Sequence, residues 1–275
     1  MTADILPGSS ATSCSHRAGS LEVRLVATEA ELRAAQELRY RVFYEEGRAA
    51  SVPSTAQLDA DAYDPVCDHL LVIDHAAGRV VGAYRLLRQV IAEQHRGFYS
   101  SQEFDLRPLL TLAEAQGTGQ LLELGRSCVD PAYRNSATIN MLWRGIASYL
   151  ELHRIGLLFG CASFPGTSPD DHSAALSFLY HAHLAPPPLR ARALVAHHVE
   201  MNRIPADSLD FRAAGRLLPP LIRGYLRVGA TVGDGAFVDR QFNTVDVFVV
   251  MPVDRIARRY ARRFATTSDP EAAWS

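Results

Sequence analysis

Residues 121–134 read LLELGRSCVDPAYR, an apolar run that carries one carboxylate, Glu123, and one guanidinium, Arg126, and that ends at Asp130 and Pro131. The pattern predicts a strand. A strand with charges at its middle has to pair them, because a buried unpaired charge costs several kcal/mol. Past Pro131 the apolar period changes: Ile139, Leu142, Trp143, Ile146, Leu150 and His153 mark one face of a helix. Residues 157–162 are a second, shorter apolar run, terminated by SFPG at 163–166. A strand, helix and strand of these lengths favour parallel pairing through a right-handed crossover, and so an α/β or α+β fold with a mixed sheet.

On the N-terminal side, residues 21–27 alternate as a strand does. Thr28 and Glu31 make a capping box, after which Leu32, Ala35, Leu38, Val42 and Phe43 recur at helical spacing. Residues 47–68 read as an ordered loop holding Asp59, Asp61, Asp64 and Asp68 around Tyr63. The runs 69–75 and 80–90, separated by Ala76, Ala77, Gly78 and Arg79, predict a hairpin, and 103–115 predicts a short helix. On the C-terminal side 171–181 is helical in pattern, Pro186 to Pro188 break the chain, and 189–216 shows no clear period. Residues 235–242 and 244–251 predict a closing antiparallel pair, followed by a helix over 253–264. The expected organisation is a disordered leader at 1–20, one domain over 21–265 and a flexible tail at 266–275.

Composition narrows the chemistry. The chain has 275 residues, 48% hydrophobic and 21% charged, with a formal net charge of −2, which excludes a protein whose whole surface binds nucleic acid. All 28 basic residues are Arg. Without Lys, neither a pyridoxal Schiff base nor a Walker A phosphate loop can be built. No apolar run approaches the roughly 20 residues that span a bilayer. The N-terminus lacks a basic start and an apolar core, so the expected location is cytoplasmic. Cys14, Cys67, Cys128 and Cys161 are widely separated and predict four reduced thiols. His181 with His183, and His197 with His198, lack a third ligand, so no metal is expected. Gly229, Gly233 and Gly235 fit turns better than a phosphate loop.

The turn Val129, Asp130, Pro131, Ala132, Tyr133, Arg134, leading from strand to helix, resembles motif A of the GNAT acyltransferases. The resemblance implies the GNAT-like acyl-CoA N-acyltransferase fold, a mixed central sheet flanked by helices. It also implies that backbone near Ser127, Cys128 and Val129 pairs with a pantetheine arm and polarises its thioester carbonyl. Cys128 itself reads either as a nucleophile or as a small buried residue. One departure bears on the donor: Arg134 to Ile139 contain no glycine where a coenzyme A enzyme cradles pyrophosphate at the helix N-terminus. Acyl carrier protein brings the same phosphopantetheine without the nucleotide, so the expectation is no bound cofactor and a carrier-protein partner.

The segments LRYRVF (38–43), DADAYD (59–64), VVGAYRLLR (80–88) and ELGR (123–126) resemble the successive motifs of acyl-homoserine lactone synthases, GNAT-like enzymes that use acyl carrier protein. Position by position, the resemblance marks Arg39, Phe43, Asp61, Asp64, Arg85, Glu123 and Arg126. It implies a charge network, with Glu123 as the base where the family places its reacting amine. The plainer reading is a clamp that ties the loop to the sheet. The later segments SFPG (163–166), LPPLIRGYLRVGA (218–230) and DRQFNTVDVFVVMPVDRIARRY (239–260) resemble ornithine N-acyltransferases. That resemblance implies ornithine as acceptor, with Asn243 and Asp246 recognising its side-chain amine and Ser163 lining the acyl or amine pocket; a turn residue, a strand-edge acid and a strand-end cap are the plainer readings of the three.

In the final predicted helix Val253, Ile256, Ala257, Tyr260, Ala261 and Phe264 form an apolar stripe, while Arg255, Arg258, Arg259, Arg262 and Arg263 fill the other face. That face suits an acidic carrier protein or peripheral contact with anionic lipid at the inner face of the membrane, and equally a solvated surface. Taken together, the resemblances imply transfer of a 3-hydroxylated long-chain acyl group from acyl carrier protein to the α-amine of ornithine, giving lyso-ornithine lipid. The alternatives are a lactone synthase using S-adenosylmethionine and a non-catalytic GNAT-like membrane-binding module.

Overall fold

A computed structural model describes residues 14–50, 57–117 and 119–256 of the chain. Inside the stretch read as a leader, β1 (His16–Ala18) pairs antiparallel with β2 (Leu21–Leu25). The turn between them carries Gly19 at φ +59°, a conformation that favours glycine. α1 (Glu29–Tyr40) starts at Thr28, whose hydroxyl accepts the Glu31 N–H. The Glu31 carboxylate holds the Ala27 N–H and the Arg24 guanidinium, so the capping box closes one residue early. A π-helical turn over Arg41–Glu46 continues α1. The predicted hairpin is β3 (Asp68–Asp74) with β4 (Arg79–Arg88), followed by α2 (Gln89–Gln94).

The segment read as one helix from 103 divides into β5 (Phe104–Asp105) and α3 (Arg107–Gln116). Pro108 sits in the first turn of α3, where its missing N–H costs nothing. The deciding stretch is β6 (Gln120–Val129), followed by α4 (Ser136–Leu152) and β7 (Ile155–Pro165). β6 and β7 are parallel, with Glu123 opposite Phe159. Beyond them come α5 (Ser173–His183), β8 (Arg192–Ala193), β9 (His198–Val199), α6 (Phe211–Arg216), α7 (Pro220–Arg227), β10 (Thr231–Asp239) and β11 (Thr244–Pro252). Ser163, Phe164 and Pro165, expected to end β7, instead continue it, because β11 pairs with β7 without a break from Thr244↔Pro165 to Pro252↔Leu157.

Two units share these elements, and β6 divides between them after Glu123. In the first unit the strand order is β1-β2-β3-β4-β6, with α4 against β1, β2 and β3, and with Ala35 and Leu38 of α1 packed on Leu71, Val80, Ala83 and Cys128. Gly145 of α4 lies so close to β2 and β3 that a Cβ there would meet Val23 at 2.7 Å and Leu70 at 2.9 Å. In the second unit the order is β6-β7-β11-β10-β8-β5, with β9 also on β10. Here the parallel β6–β7 pair adjoins the antiparallel β7–β11 and β10–β11 pairs, which makes the sheet mixed. Phe159 stacks on Phe248 at 5.5 Å, and Phe98 and Phe104 pack against these two rings, forming its aromatic centre.

Candidate functional site

In the first unit, the positions marked on helix, loop and sheet converge. Arg39 on α1 is 1% exposed, yet its fork is filled: Nε donates to Asp59 Oδ2 at 2.7 Å, Nη1 to Asp64 Oδ1 at 2.9 Å and Nη2 to the Asp59 carbonyl at 2.7 Å. Arg85 on β4 holds both oxygens of Asp61 at 2.7 Å and reaches Asp64 Oδ1 at 3.1 Å. Arg126 on β6 reaches Asp59 Oδ2 at 3.2 Å and Asp61 Oδ2 at 3.1 Å. Three guanidinium groups thus meet three carboxylates, and each shared carboxylate ties at least two elements together. Burial alone would raise the Asp64 carboxyl, but Arg39 and Arg85 outweigh it and bring Asp64 down to about 2. Asp61 is also lowered, with Arg85 and Arg126 overcoming the effect of burial. His69 of β3, bonded to the Asp64 carbonyl at 3.0 Å, is pushed down by burial.

The third acid of this network is Asp59, the first residue of DADAYD, rather than Glu123. Phe43 belongs to the apolar cluster of Ala35, Leu38, Leu71, Val80, Ala83 and Cys128, so it packs this unit. The same burial pushes the Cys128 thiol up to about 12, which leaves no thiolate for nucleophilic attack near neutral pH. Arg126 has φ +50° inside a strand. A non-glycine residue there costs on the order of 1 kcal/mol or more and turns the neighbouring peptide planes out of regular ladder geometry. Ser127 and Val129 follow, both half-buried, and the Val129 carbonyl accepts from Arg134 Nε at 3.2 Å. At the start of α4, Asn135 Oδ1 takes the Thr138 N–H at 3.1 Å, and Ile139 is exposed. Arg134 forks onto Glu46 with both contacts at 2.6 Å.

The second unit gathers a different set. Glu123, 4% exposed, accepts the Tyr99 and Ser100 N–H groups at 2.7 Å each and also the Ser100 hydroxyl. Hydrogen bonds of this kind stabilise a carboxylate charge. Strand register aligns Glu123 with Phe159, Cys161 with Phe248, and Ser163 with Asp246. Because side chains alternate along a strand, Glu123, Cys161, Ser163 and Asp246 share one face. Glu103, just before β5, meets that face: its Oε2 lies 3.2 Å from Cys161 Sγ. Oxygens of Glu103, Asp239 and Asp246 all lie within 4.8 Å of one another, and all three residues are buried.

Burial raises the Glu103 carboxyl, and Asp246, Asp239 and Glu123 add to the effect against an opposing bond from Cys161, so that Glu103 sits at about 8. Burial, together with Glu103 and Asp246, also pushes the Cys161 thiol well up. Near neutral pH the trio therefore carries less than its formal charge. That balance suits organic ammonium groups better than a divalent ion, which demands several ionised oxygens. Glu103 and Asp239 were not singled out from sequence. Asp239 opens the late motif and could have been noticed there, whereas nothing local distinguishes Glu103. Asn243 stands apart in role: at φ +54° it turns β10 into β11, and its carbonyl accepts the Gly166 N–H at 2.8 Å. Arg255 is exposed in a helical turn over 253–256, and Arg258, Arg259, Arg262 and Arg263 lie outside the described residues, as does the 266–275 segment read as a tail.

Residues 38–144 match the family model of the acetyltransferase (GNAT) domain. L-ornithine N(alpha)-acyltransferases of Brucella abortus and Agrobacterium fabrum are 45% and 48% identical to this chain over 89% of its length, covering 88% and 85% of their own. Among solved structures, an N-acyl amino acid synthase from uncultured soil microbes aligns with a TM-score of 0.50 at 12% identity, over 87% of this chain and 94% of that one. At such identity the likeness speaks for the fold alone. The GNAT-like fold, a mixed sheet flanked by helices, is thereby borne out.

Proposed function

This chain belongs to the L-ornithine N(alpha)-acyltransferase family, and on that premise we propose that it transfers a long-chain, 3-hydroxylated fatty acyl group from acyl carrier protein to the α-amine of L-ornithine, yielding lyso-ornithine lipid. The observation that carries this reading is the buried face holding Asp246, Asp239 and Glu103 beside Ser163. Ornithine is dibasic. Its pocket needs carboxylates, and a chain without Lys places no competing amine among them. Asp246 and Asp239 supply countercharge, while Glu103 is the member poised to exchange a proton near neutral pH. The α-amine, once neutral, attacks the thioester carbonyl. Backbone N–H groups near Cys128 and Val129 receive the developing oxyanion, and the thiol of phosphopantetheine leaves.

Two features support a carrier protein as donor. Asn135 occupies one of the α4 N-terminal amides that a pyrophosphate would use, and Ile139 adds bulk at the same helix start. In sequence, Arg255, Arg258, Arg259, Arg262 and Arg263 put five positive charges within nine residues, a run suited to an acidic carrier or to anionic lipid where the product is delivered. Among the described residues no helix is long and apolar enough to cross a membrane. A direct comparison tests it: initial rates with 3-hydroxyacyl carrier protein against the matching acyl-coenzyme A, each with ornithine or S-adenosylmethionine as acceptor. Carrier protein with ornithine is expected to give the highest kcat/KM. A preference for coenzyme A would overturn the donor, and a preference for S-adenosylmethionine the acceptor.

A further inference from the structure

We infer that Glu103, Cys161, Ser100 and Glu123 form a hydrogen-bonded proton relay that carries away the proton the acceptor amine must lose before it attacks. The inference rests on the acyl-transfer reading above and assigns the proton path within it. Four side chains from three separate stretches of sequence stand in line. Glu103 Oε2 is 3.2 Å from Cys161 Sγ, Cys161 Sγ is 3.5 Å from Ser100 Oγ, and the Ser100 hydroxyl donates to Glu123 Oε1. Ser100 is 1% exposed, Glu123 4% and Glu103 6%, and Cys161 between them is partly buried, so the two carboxyls and the hydroxyl are held away from water.

With the Cys161 proton turned to Ser100, one ordering of donors and acceptors joins all four side chains. Glu123 accepts from the Ser100 hydroxyl, and the Tyr99 and Ser100 amides hold its charge. With its single proton already given, the Ser100 oxygen can accept, and the Cys161 thiol is the donor within reach. Across the 3.2 Å contact the Cys161 thiol donates to an ionised Glu103; when Glu103 is protonated and the thiol proton is turned to Ser100, the sulfur accepts from the Glu103 carboxyl instead. Glu103 is the carboxyl that burial and its acidic neighbours Asp246, Asp239 and Glu123 keep protonated up to about 8. The two carboxyls of the chain therefore differ in the way a relay requires: one holds a proton and the other is ready to receive one.

The step balances without any added reagent. The α-ammonium of the acceptor gives one proton to a Glu103 oxygen. The proton already on Glu103 moves to the Cys161 sulfur, the thiol proton to the Ser100 oxygen, and the hydroxyl proton to Glu123. Glu103, Cys161 and Ser100 end in their starting protonation states, Glu123 is protonated, and the amine carries the lone pair that forms the amide bond. The second proton lost by nitrogen goes to the departing thiolate. After product release, the proton on Glu123 returns along the same line to solvent. Glu103 is the only catalytic residue of the four, because it alone meets the amine; Cys161, Ser100 and Glu123 act through it.

The test combines turnover with a signal that needs no turnover. Cys161→Ala is expected to lower kcat about a hundredfold, the scale of a lost acid–base contribution, with KM for ornithine changed little. Cys161→Ser, whose hydroxyl both donates and accepts, should recover at least about tenfold of that loss. Wild-type kcat measured across mixtures of light and heavy water should follow a curved dependence, reporting several protons in flight, and Cys161→Ala should remove the curvature. Independently, the Cys161 S–H infrared band, isolated by subtracting the Cys161→Ser spectrum, should shift as pH crosses about 8 and stop doing so in Glu103→Gln. A Cys161→Ala enzyme of wild-type kcat, or an S–H band indifferent to Glu103, overturns the relay. If ornithine is not acylated by wild type, the acceptor reading fails, while the infrared result still judges the relay.

Discussion

Glu103 and Glu123 are both buried carboxyls of one unit, and their surroundings give them opposite tasks. Glu123 has amide donors that hold its charge, whereas Glu103 faces other acids. A consequence for stability follows with a definite sign. Between the ordinary carboxyl value of 4.5 and about 8, folded Glu103 keeps a proton that the unfolded chain has released. Folding stability is therefore fully present below that window and declines as pH rises through it. Urea unfolding at about pH 5 and about pH 8.5 should show Glu103→Gln gaining on wild type by roughly a few kcal/mol at the higher pH. An equal offset at both pH values would contradict the assigned environment. Glu123→Gln is expected to lower kcat at least about a hundredfold, through loss of the relay terminus, and to destabilise the fold by roughly 1–3 kcal/mol, because the NH₂ that replaces one carboxylate oxygen cannot accept from whichever of Tyr99 or Ser100 it faces. A folded Glu123→Gln enzyme with near-normal kcat removes Glu123 from the chemistry.

Elements with strong local signals were readable in advance. Thr28 with Glu31 announced α1, the turn at 76–79 announced the β3–β4 hairpin, and the change of period after Pro131 announced α4. What escaped was encoded across long separations. β8 and β9 are two residues each and exist only through partners such as Asp234↔Arg192 and Phe237↔His198 on β10, which no local period around 189–216 could reveal. β7 outran its expected end for the same reason, since β11 supplies the pairing for Ser163 to Pro165. The charge network was largely visible because motif spacing carried it, except that Asp59 fills the place given to Glu123. The acidic trio was visible only at Asp246, because Glu103, Asp239 and Asp246 are contributed by three different segments. At this scale α4 offers a test. Gly→Ala inside a helix ordinarily gains up to about 1 kcal/mol. At Gly145 the new Cβ would press on Val23 and Leu70, so Gly145→Ala should instead cost roughly 1–3 kcal/mol in thermal or urea unfolding. A stabilised variant would show that α4 packs more loosely than described.

For the whole molecule, the Arg–Asp network sets an acid limit. Asp64, brought down to about 2, and Asp61, also lowered, contribute stability that is present above the ordinary carboxyl range and is lost as pH falls toward 2. Arg39→Ala leaves Asp59 and Asp64 buried with a partner removed, and should cost roughly 3–5 kcal/mol at pH 7 but less near pH 2, where the Asp64 carboxyl is taking up its proton. The acylation chemistry stands on a narrower base, the identity of the nitrogen that receives the acyl chain. The most direct measurement uses ornithine labelled with ¹⁵N at the α position only, turned over with 3-hydroxyacyl carrier protein, and reads the product by tandem mass spectrometry. The acyl-bearing fragment should retain the label. An acyl fragment that carries the unlabelled δ nitrogen, or the absence of any acyl-ornithine, would contradict the account.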